Sequence, residues 1–389
     1  MRDGWVAATL GQVADTVRDT VKASSVELPY FGLEHFDPGS PRLVRHGASH
    51  DMESAAIRVS PGDVLFSKLR PYLNKVAVSP AEATCTTEVL AWRRRDGTEL
   101  RQDFLAILLR DDAAIAYANH SASGTRMPRT SAKAMATYPV LLPPLDEQQR
   151  IVDLIAAVDD AIEAAEVEAT AADGMATLLI RSLRSCPQRK IREFARFEYG
   201  RALKRENRDN GEVPVFGAAG HIGGHSEANT GRGPAIVVGR KGVNARGRFS
   251  VAFRNLPPSI RGWGGAGSVR YSDQPVWVID TAFIASAKSP EITAPALYWA
   301  LVFADLPTIA TTTTLPGLSA RAAGDVMTAD PALIPPEILS GLDAVERSAV
   351  AALTTASALR SLRSNLLTAL LSGEHEIPSS YDRFLEEAT

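Results

Sequence analysis

The sequence predicts an α+β protein in which two α/β globules alternate with two long helices packed as an antiparallel coiled coil. Three observations carry that prediction. Short segments recur in type: Leu10-Gly11-Gln12-Val13-Ala14 as Ile191-Arg192-Glu193-Phe194-Ala195, and Pro29-Tyr30-Phe31-Gly32 as Pro214-Val215-Phe216-Gly217. The run Tyr138-Pro139-Val140-Leu141-Leu142-Pro143-Pro144 recurs as Asp330-Pro331-Ala332-Leu333-Ile334-Pro335-Pro336. Each proline pair opens a long segment of helical periodicity. The expected division is 1–142 for the first globule, 143–186 for its helix, 187–334 for the second globule, 335–373 for its helix and 374–389 for a tail.

The first helix is read from its apolar stripe. Stepping by four and three from Ile151 meets Ile155, Val158, Ile162, Ala165, Ala169, Ala172, Ala176, Leu179 and Leu183. An a/d stripe sustained over several heptads marks a coiled coil. From Asp146 to Arg184 such a helix would be roughly 58 Å long. Pro143-Pro144 sets its start and Pro187 lies just beyond its end. Gly174 costs it about 1 kcal/mol relative to alanine.

The second helix gives Ile338, Leu342, Val345, Ala349, Ala352, Ala356, Leu359, Leu362, Leu366 and Leu370, with Gly373 as its C-cap. The step slips once, between Leu359 and Leu362. Alanine at many seam positions implies close approach. Antiparallel packing is expected, with the helix ends holding the globules apart.

Within the globules short strands alternate with turns. Ala56–Val59 leads into the turn Pro61-Gly62-Asp63, and Val64-Leu65-Phe66-Ser67 reads as a buried strand. Thr87–Trp92 reads as another strand and Phe104–Ala118 as one helix. In the second copy Ala235–Val238 and Trp277–Asp280 read as strands and Tyr298–Phe303 as helix. Glycines crowd between Gly217 and Gly267, as tight turns require.

Basic residues follow the buried strands: Lys68, Arg70 and Lys75 in the first copy, Arg240, Lys241, Arg246 and Arg248 in the second. A further basic loop, Ser123-Gly124-Thr125-Arg126-Met127-Pro128-Arg129, precedes the first long helix; its counterpart from Thr311 to Arg321 is more neutral. Such loops suit phosphates, and arginine also suits guanine O6 and N7. Net charge of −3 and pI near 6.2 argue against nucleic acid on the whole chain. The charge is segregated, however: acids crowd the first long helix, while Arg189–Arg270 is rich in lysine and arginine.

Other chemistries find little support. Two cysteines, Cys85 and Cys186, make neither a disulfide framework nor a thiolate zinc site, and suit a reducing, cytoplasmic setting. The first residues lack a signal-peptide core, and no apolar run approaches the ~20 residues of a membrane span. Gly262-Trp263-Gly264-Gly265-Ala266-Gly267 fits G-x-G-x-x-G formally, but Ser268-Val269-Arg270-Tyr271 reads as extended where a helix should open. There is no Walker motif and no nucleophile elbow. His46 and His50, and His221 and His225, are four apart, but the second pair spans a glycine-rich stretch unsuited to a helix. No metal site and no catalytic residue is assigned.

The run Leu142-Pro143-Pro144-Leu145-Asp146-Glu147-Gln148-Gln149-Arg150-Ile151 resembles the signature that closes a target-recognition domain in specificity subunits of type I restriction-modification systems. Gly62–Pro71, Val238-Gly239-Arg240-Lys241-Gly242 and the ending Leu366–Glu374 agree with it, and the order globule, helix, globule, helix covers essentially the whole chain. The second helix departs from the pattern, opening Pro335-Pro336-Glu337-Ile338-Leu339 without a Glu-Gln pair.

The resemblance implies a non-catalytic, bipartite reader of double-stranded DNA. Each globule would contact one half of an asymmetric, interrupted target. The helix pair would act as a ruler and dock two methyltransferase subunits. Those partners would carry S-adenosylmethionine and modify adenine, and restriction subunits are optional further members. Two rivals remain: a coiled-coil scaffold with two protein-binding modules, favoured by the acidic net charge, and a nuclease or nucleotide hydrolase using Glu88 or Asp280.

Overall fold

The computed structural model of the chain describes residues 4–243, 264–311, 316–373 and 375–378. It forms two units, one made of residues up to Ala161 together with those from Leu359 onward, the other of Ile162–Ala358.

In the first unit a strand at Val6–Thr9 pairs antiparallel with Pro139–Leu142. One helical turn, Leu10–Val13, follows, with Gln12 accepting the Thr9 backbone N–H at 2.7 Å. A four-stranded antiparallel sheet then runs in the order Ala14–Thr16, Val89–Arg94, Val64–Ser67, Val76–Val78. Val64, Leu65 and Phe66 are all buried because both faces of this sheet are covered. Val64 and Phe66 face a core with Phe104, Leu105 and Leu109, while Leu65 faces Phe31, Val59 and Cys85 of a second, five-stranded sheet. In that sheet Pro29–Phe31 runs parallel to Ala83–Thr86, with Tyr30 opposite Thr84.

The second unit repeats this plan. Gln188–Lys190 pairs with Met327–Ala329, the turn Ile191–Phe194 follows, and the four-stranded sheet runs Ala195–Tyr199, Ala282–Ala287, Ala235–Gly239, Val269–Ser272. Its smaller companion has three strands, and Val213–Gly217 runs parallel to Trp277–Val278 there, as Pro29–Phe31 does to its neighbour. Two of the three recurring segments, the turns after the first strands and the strands near Pro29 and Pro214, thus occupy the same places in the two topologies; of the third only the proline pair does, because Pro139–Leu142 is a strand whereas residues 331–334 form a turn after Met327–Ala329.

Three elements differ from the sequence reading. The 104–118 helix is two helices, Gln102–Arg110 and Asp112–His120, because Asp111 is extended and its carboxylate caps the second through the Ala113 N–H. The strand expected at 87–92 begins at Val89, since Glu88 sits in a turn. Trp277–Val278 is short, and the following turn leads into Ala282–Ala287. By contrast His221 and His225 lie on a strand, Gly220–His225, and Val269–Ser272 is extended. Of the glycine-rich fingerprint, residues 262 and 263 lie outside the described residues.

The long helices are Leu145–Ser182, continued by a 3-10 turn at Leu183–Ser185, and Pro336–Leu371. They pack antiparallel. In the first unit Asp159 meets Arg363; in the second, Glu168 meets Ser348 and Leu179 lies beside Gly341. Ile151, Ile155, Leu183, Leu342 and Leu370 are buried, and Val158, Ile162, Leu179, Ile338, Val345, Leu359 and Leu366 partly so. Leu362, read into the stripe, is 51 % exposed. The inward place at the slip belongs to Arg363, which pairs with Asp159 at 2.6 Å. Past the helix, Gly373 takes a φ of +73° beside the Trp5 ring, and Ile377 is buried in the core of the first unit.

Candidate nucleic-acid interface

Two loops meet beside the four-stranded sheet of each unit. One leaves the buried central strand; the other leads into a short helix. In the first unit the backbone ladder is Arg70 N–H to Pro128 C=O at 2.8 Å, Thr130 N–H to Lys68 C=O at 3.0 Å and Ser123 N–H to Arg129 C=O at 3.0 Å. In the second it is Gly242 N–H to Pro316 C=O at 3.0 Å, Leu318 N–H to Arg240 C=O at 2.8 Å and Thr311 N–H to Gly317 C=O at 3.0 Å. Ser131 and Ser319 then cap the two short helices, Ala132–Ala136 and Ala320–Asp325, through their hydroxyls. One backbone device is therefore built twice, with Lys68-Leu69-Arg70 in one copy and Arg240-Lys241-Gly242 in the other.

The two loops also share a left-handed turn. Gly242 has a φ of +106° and Arg70 a φ of +50°. Glycine takes this conformation freely, whereas an L side chain pays roughly 1–2 kcal/mol. Arg70 therefore sits where sterics alone would favour glycine, and strained non-glycine residues cluster at functional sites.

The structure brings Lys68, Arg70 and Arg129 together on this ladder, with Arg126 exposed at the tip of the same loop, two residues after Gly124 at a φ of +92°. Lys75 is half-buried and turned inward, its ammonium donating to the Leu33 carbonyl. Arg129 pairs with Glu88 at 2.9 Å, and Lys68 lies 4.0 Å from the same carboxylate. In the second unit Arg240 and Lys241 flank a depression of about 390 Å³ lined also by Tyr199, Ile309 and Thr311. Arg246 and Arg248 lie outside the described residues.

The guanidinium groups are not fully satisfied. Nε of Arg70 and of Arg240 is enclosed, with no hydrogen-bond partner among the described residues. Arg240 instead lies over the Tyr199 ring, 5.1 Å from its centroid. Cation–π contact lowers the cost of holding it there. Tyr199 is 59 % exposed and Tyr72, in the first loop, 55 %. Neither aromatic was singled out by the sequence patterns, although each lies within two residues of an arginine, Arg70 or Arg201.

The acids considered for hydrolysis stand differently. Glu88 is occupied by Arg129 and Lys68. Asp280 is exposed and forms no ion pair among the described residues. His225 contacts Asp209 at 3.2 Å, and among the described residues no three His, Cys, Asp or Glu side chains converge on a metal-sized site. No helix among the described residues is long and apolar enough to cross a membrane.

Gln148 and Glu147 join the first globule to its helix. Gln148, fully buried, donates to the carbonyls of Glu99 and Pro143, each at 2.8 Å, and accepts the Arg101 N–H at 2.9 Å. Glu147 accepts the Trp5 indole N–H at 3.3 Å.

Residues 55–170 match the family model described as type I restriction modification DNA specificity domain. Over 91 residues, 23% of the chain, the sequence is 30% identical to the type I restriction enzyme EcoDI specificity subunit of Escherichia coli; the match spans 20% of that protein's length. The fold is similar to the crystal structure of the type-I restriction-modification system S subunit from M. genitalium, with a TM-score of 0.61, 17% identity, and coverage of 94% of this chain and 96% of that one. A chain from a structural study of complex assembly and conformational transition of the type I R-M system aligns with a TM-score of 0.50, 18% identity, and coverage of 95% and 97%.

Proposed function

We propose that this chain is a specificity subunit of a type I restriction-modification system and that it reads a bipartite, asymmetric duplex target, a reading supported by the matched DNA specificity domain at residues 55–170. One globule contacts each half. The observation that carries this reading is the repeated loop pair: one backbone ladder, presenting different cations in its two copies. A shared frame with unlike side chains is what two unlike half-sites require.

The chemistry divides between the residues. Lys68 and Lys241, as point charges, suit phosphate oxygens and set register. Arg70, Arg126, Arg129 and Arg240 carry planar forks that can meet guanine O6 and N7 bidentately. Tyr72 and Tyr199 offer rings beside the sugar-phosphate backbone.

The chain acts without a catalytic centre of its own. Methyltransferase subunits dock on the helix pair, hold S-adenosylmethionine and modify adenine, in the cytoplasm; restriction subunits join where the system cleaves. The helix pair sets the gap between half-sites.

Selection from a random duplex library tests this, using the chain co-expressed with its methyltransferase partner. Two short, different motifs at a constant gap are expected. A folded complex that binds salt-sensitively yet enriches no sequence would reduce the chain to a generic DNA-binding scaffold, and no binding would leave a protein-only scaffold. Arg240→Ala with Lys241→Ala should weaken binding and lower the salt slope by about one to two, because each phosphate that a cation neutralises adds ~0.9 to that slope.

A further inference from the structure

Besides their different cations, the two loop pairs differ in an acidic position. In the first unit the Lys68 backbone N–H donates to the Glu88 carbonyl at 3.0 Å; in the second, the Arg240 N–H donates to the Thr281 carbonyl at 2.9 Å. Glu88 and Thr281 are therefore the same place in the two copies. Glu88 is a carboxylate, 31 % exposed, that holds Arg129 at 2.9 Å and stands 4.0 Å from Lys68. Thr281 is neutral, and its hydroxyl accepts the Ala218 N–H instead.

We propose that Glu88 is a specificity-determining residue: it neutralises the first globule's basic loop internally and so restrains sequence-independent DNA binding there. This rests on the DNA-reading function proposed above. A phosphate approaching Lys68 or Arg129 must displace this carboxylate or lie against its charge. The ion pairs are partly exposed, each worth about 0.2–1 kcal/mol, so they can be exchanged for a better partner. A phosphate met at random gains little from that exchange. A matched half-site adds base contacts through the arginines, and those cover the loss. The second globule has no such restraint at Thr281, so its binding leans more on backbone phosphates.

The test uses the complex of this chain with its methyltransferase partner and measures duplex affinity across salt. The duplexes carry both half-sites, or the second half-site alone. Glu88→Gln keeps the side chain's shape and removes its charge. The expected result is three- to tenfold tighter binding to the duplex lacking the first half-site, at about 0.15 M salt, and a salt slope steeper by about one to two as Lys68 and Arg129 turn to phosphates. Discrimination between the two duplexes falls by the same factor. Glu88→Thr, carrying the second globule's residue, should move in the same direction and covers a Gln variant that folds poorly.

Glu82→Gln is the control for net charge, since Glu82 pairs with Arg58 on the five-stranded sheet. Equal effects of Glu82→Gln and Glu88→Gln would overturn the proposal, as would an unchanged slope. Loss of target affinity with unaltered off-target binding would make Glu88 a base contact and also overturn it. A parent complex with no salt-dependent DNA binding would remove the DNA-reading function and this restraint together. A parent that selects its target while Glu88→Gln changes nothing would remove the restraint alone.

Discussion

Asp159 lies between two guanidinium groups, accepting from Arg110 at 2.9 Å and from Arg363 at 2.6 Å, and all three side chains are at least 85 % enclosed. Burial pulls the Arg110 pKa down, the neighbouring Arg363 charge adds to that, and Asp159 opposes both. The cluster depends on its one carboxylate. Asp159→Ala strands two enclosed cations and should cost about 3–5 kcal/mol, read as a lower urea midpoint. Arg363→Met should cost much less, because Asp159 keeps Arg110 and a like charge is removed. Sequence patterning could not find this cluster: the heptad step fell on Leu362, one residue early, and an arginine in a seam reads as polar surface until its partner is known. Titration offers a second test at this scale. Burial pushes the Cys85 thiol and the Tyr138 phenol up to about 12. In the unfolded chain they ionise near their ordinary values of about 8.5 and 10. Between those values and 12 the unfolded chain holds fewer protons, so stability falls as pH rises from about 9. Denaturation midpoints at pH 7, 9 and 10.5 should decline, and Cys85→Ala with Tyr138→Phe should flatten the trend.

At the scale of elements, the Glu-Gln pair that opens the first long helix has a structural meaning. Gln148 closes three hydrogen bonds to the segment before Gln102–Arg110 and to the proline pair. Gln148→Ala leaves the Arg101 N–H and two carbonyls without it, at about 1–3 kcal/mol for a stranded buried group. A cooperative loss of stability by circular dichroism is expected; an unchanged melt would mean that water replaces the amide. The second helix opens Pro336-Glu337-Ile338-Leu339 and places Leu339 against a small apolar cluster with Leu183 and Ala300. An apolar joint does there what an amide does in the first copy, which explains why the motif degenerates while the helix persists. The helices were legible because their 3.6-residue period repeats over many residues, and the buried strands because each is an unbroken apolar run, as at Val64–Phe66 and Ala235–Val238. The break at Asp111 was not: a capping carboxylate is one side chain making one bond.

At the scale of the whole chain, duplication was the most legible property, since matched turns, edge strands and proline pairs persist where surface side chains have diverged. The loops proposed to read DNA were legible as basic and glycine-spaced, but not their internal pairing. Nothing in local sequence ties Lys68 and Arg129 to Glu88, or Arg240 to Tyr199, which is 41 positions away. If the helix pair sets the gap between half-sites, adding one heptad to both helices should lengthen the gap and leave the half-sites unchanged. Selected sequences from the lengthened complex decide this: an unaltered gap in a well-folded complex removes the ruler. Adding two residues instead breaks the seam, because the apolar stripe rotates out of register.

The first unit is discontinuous in the chain, whereas the second is the unbroken stretch Ile162–Ala358. Its earlier segment is thus completed only by residues made after the whole of the second unit. Until Leu366, Leu367, Leu370 and Ile377 emerge, the core that holds Ile151 and Ile155 lacks its C-terminal members. A message cut short anywhere before Leu359 yields a product with a bare hydrophobic stripe, the kind of surface that chaperones and proteases detect. An incomplete chain would then be cleared early, and translation itself becomes the proofreading step. Stalled nascent chains ending before and after Leu370 should differ sharply in protease resistance of the first globule.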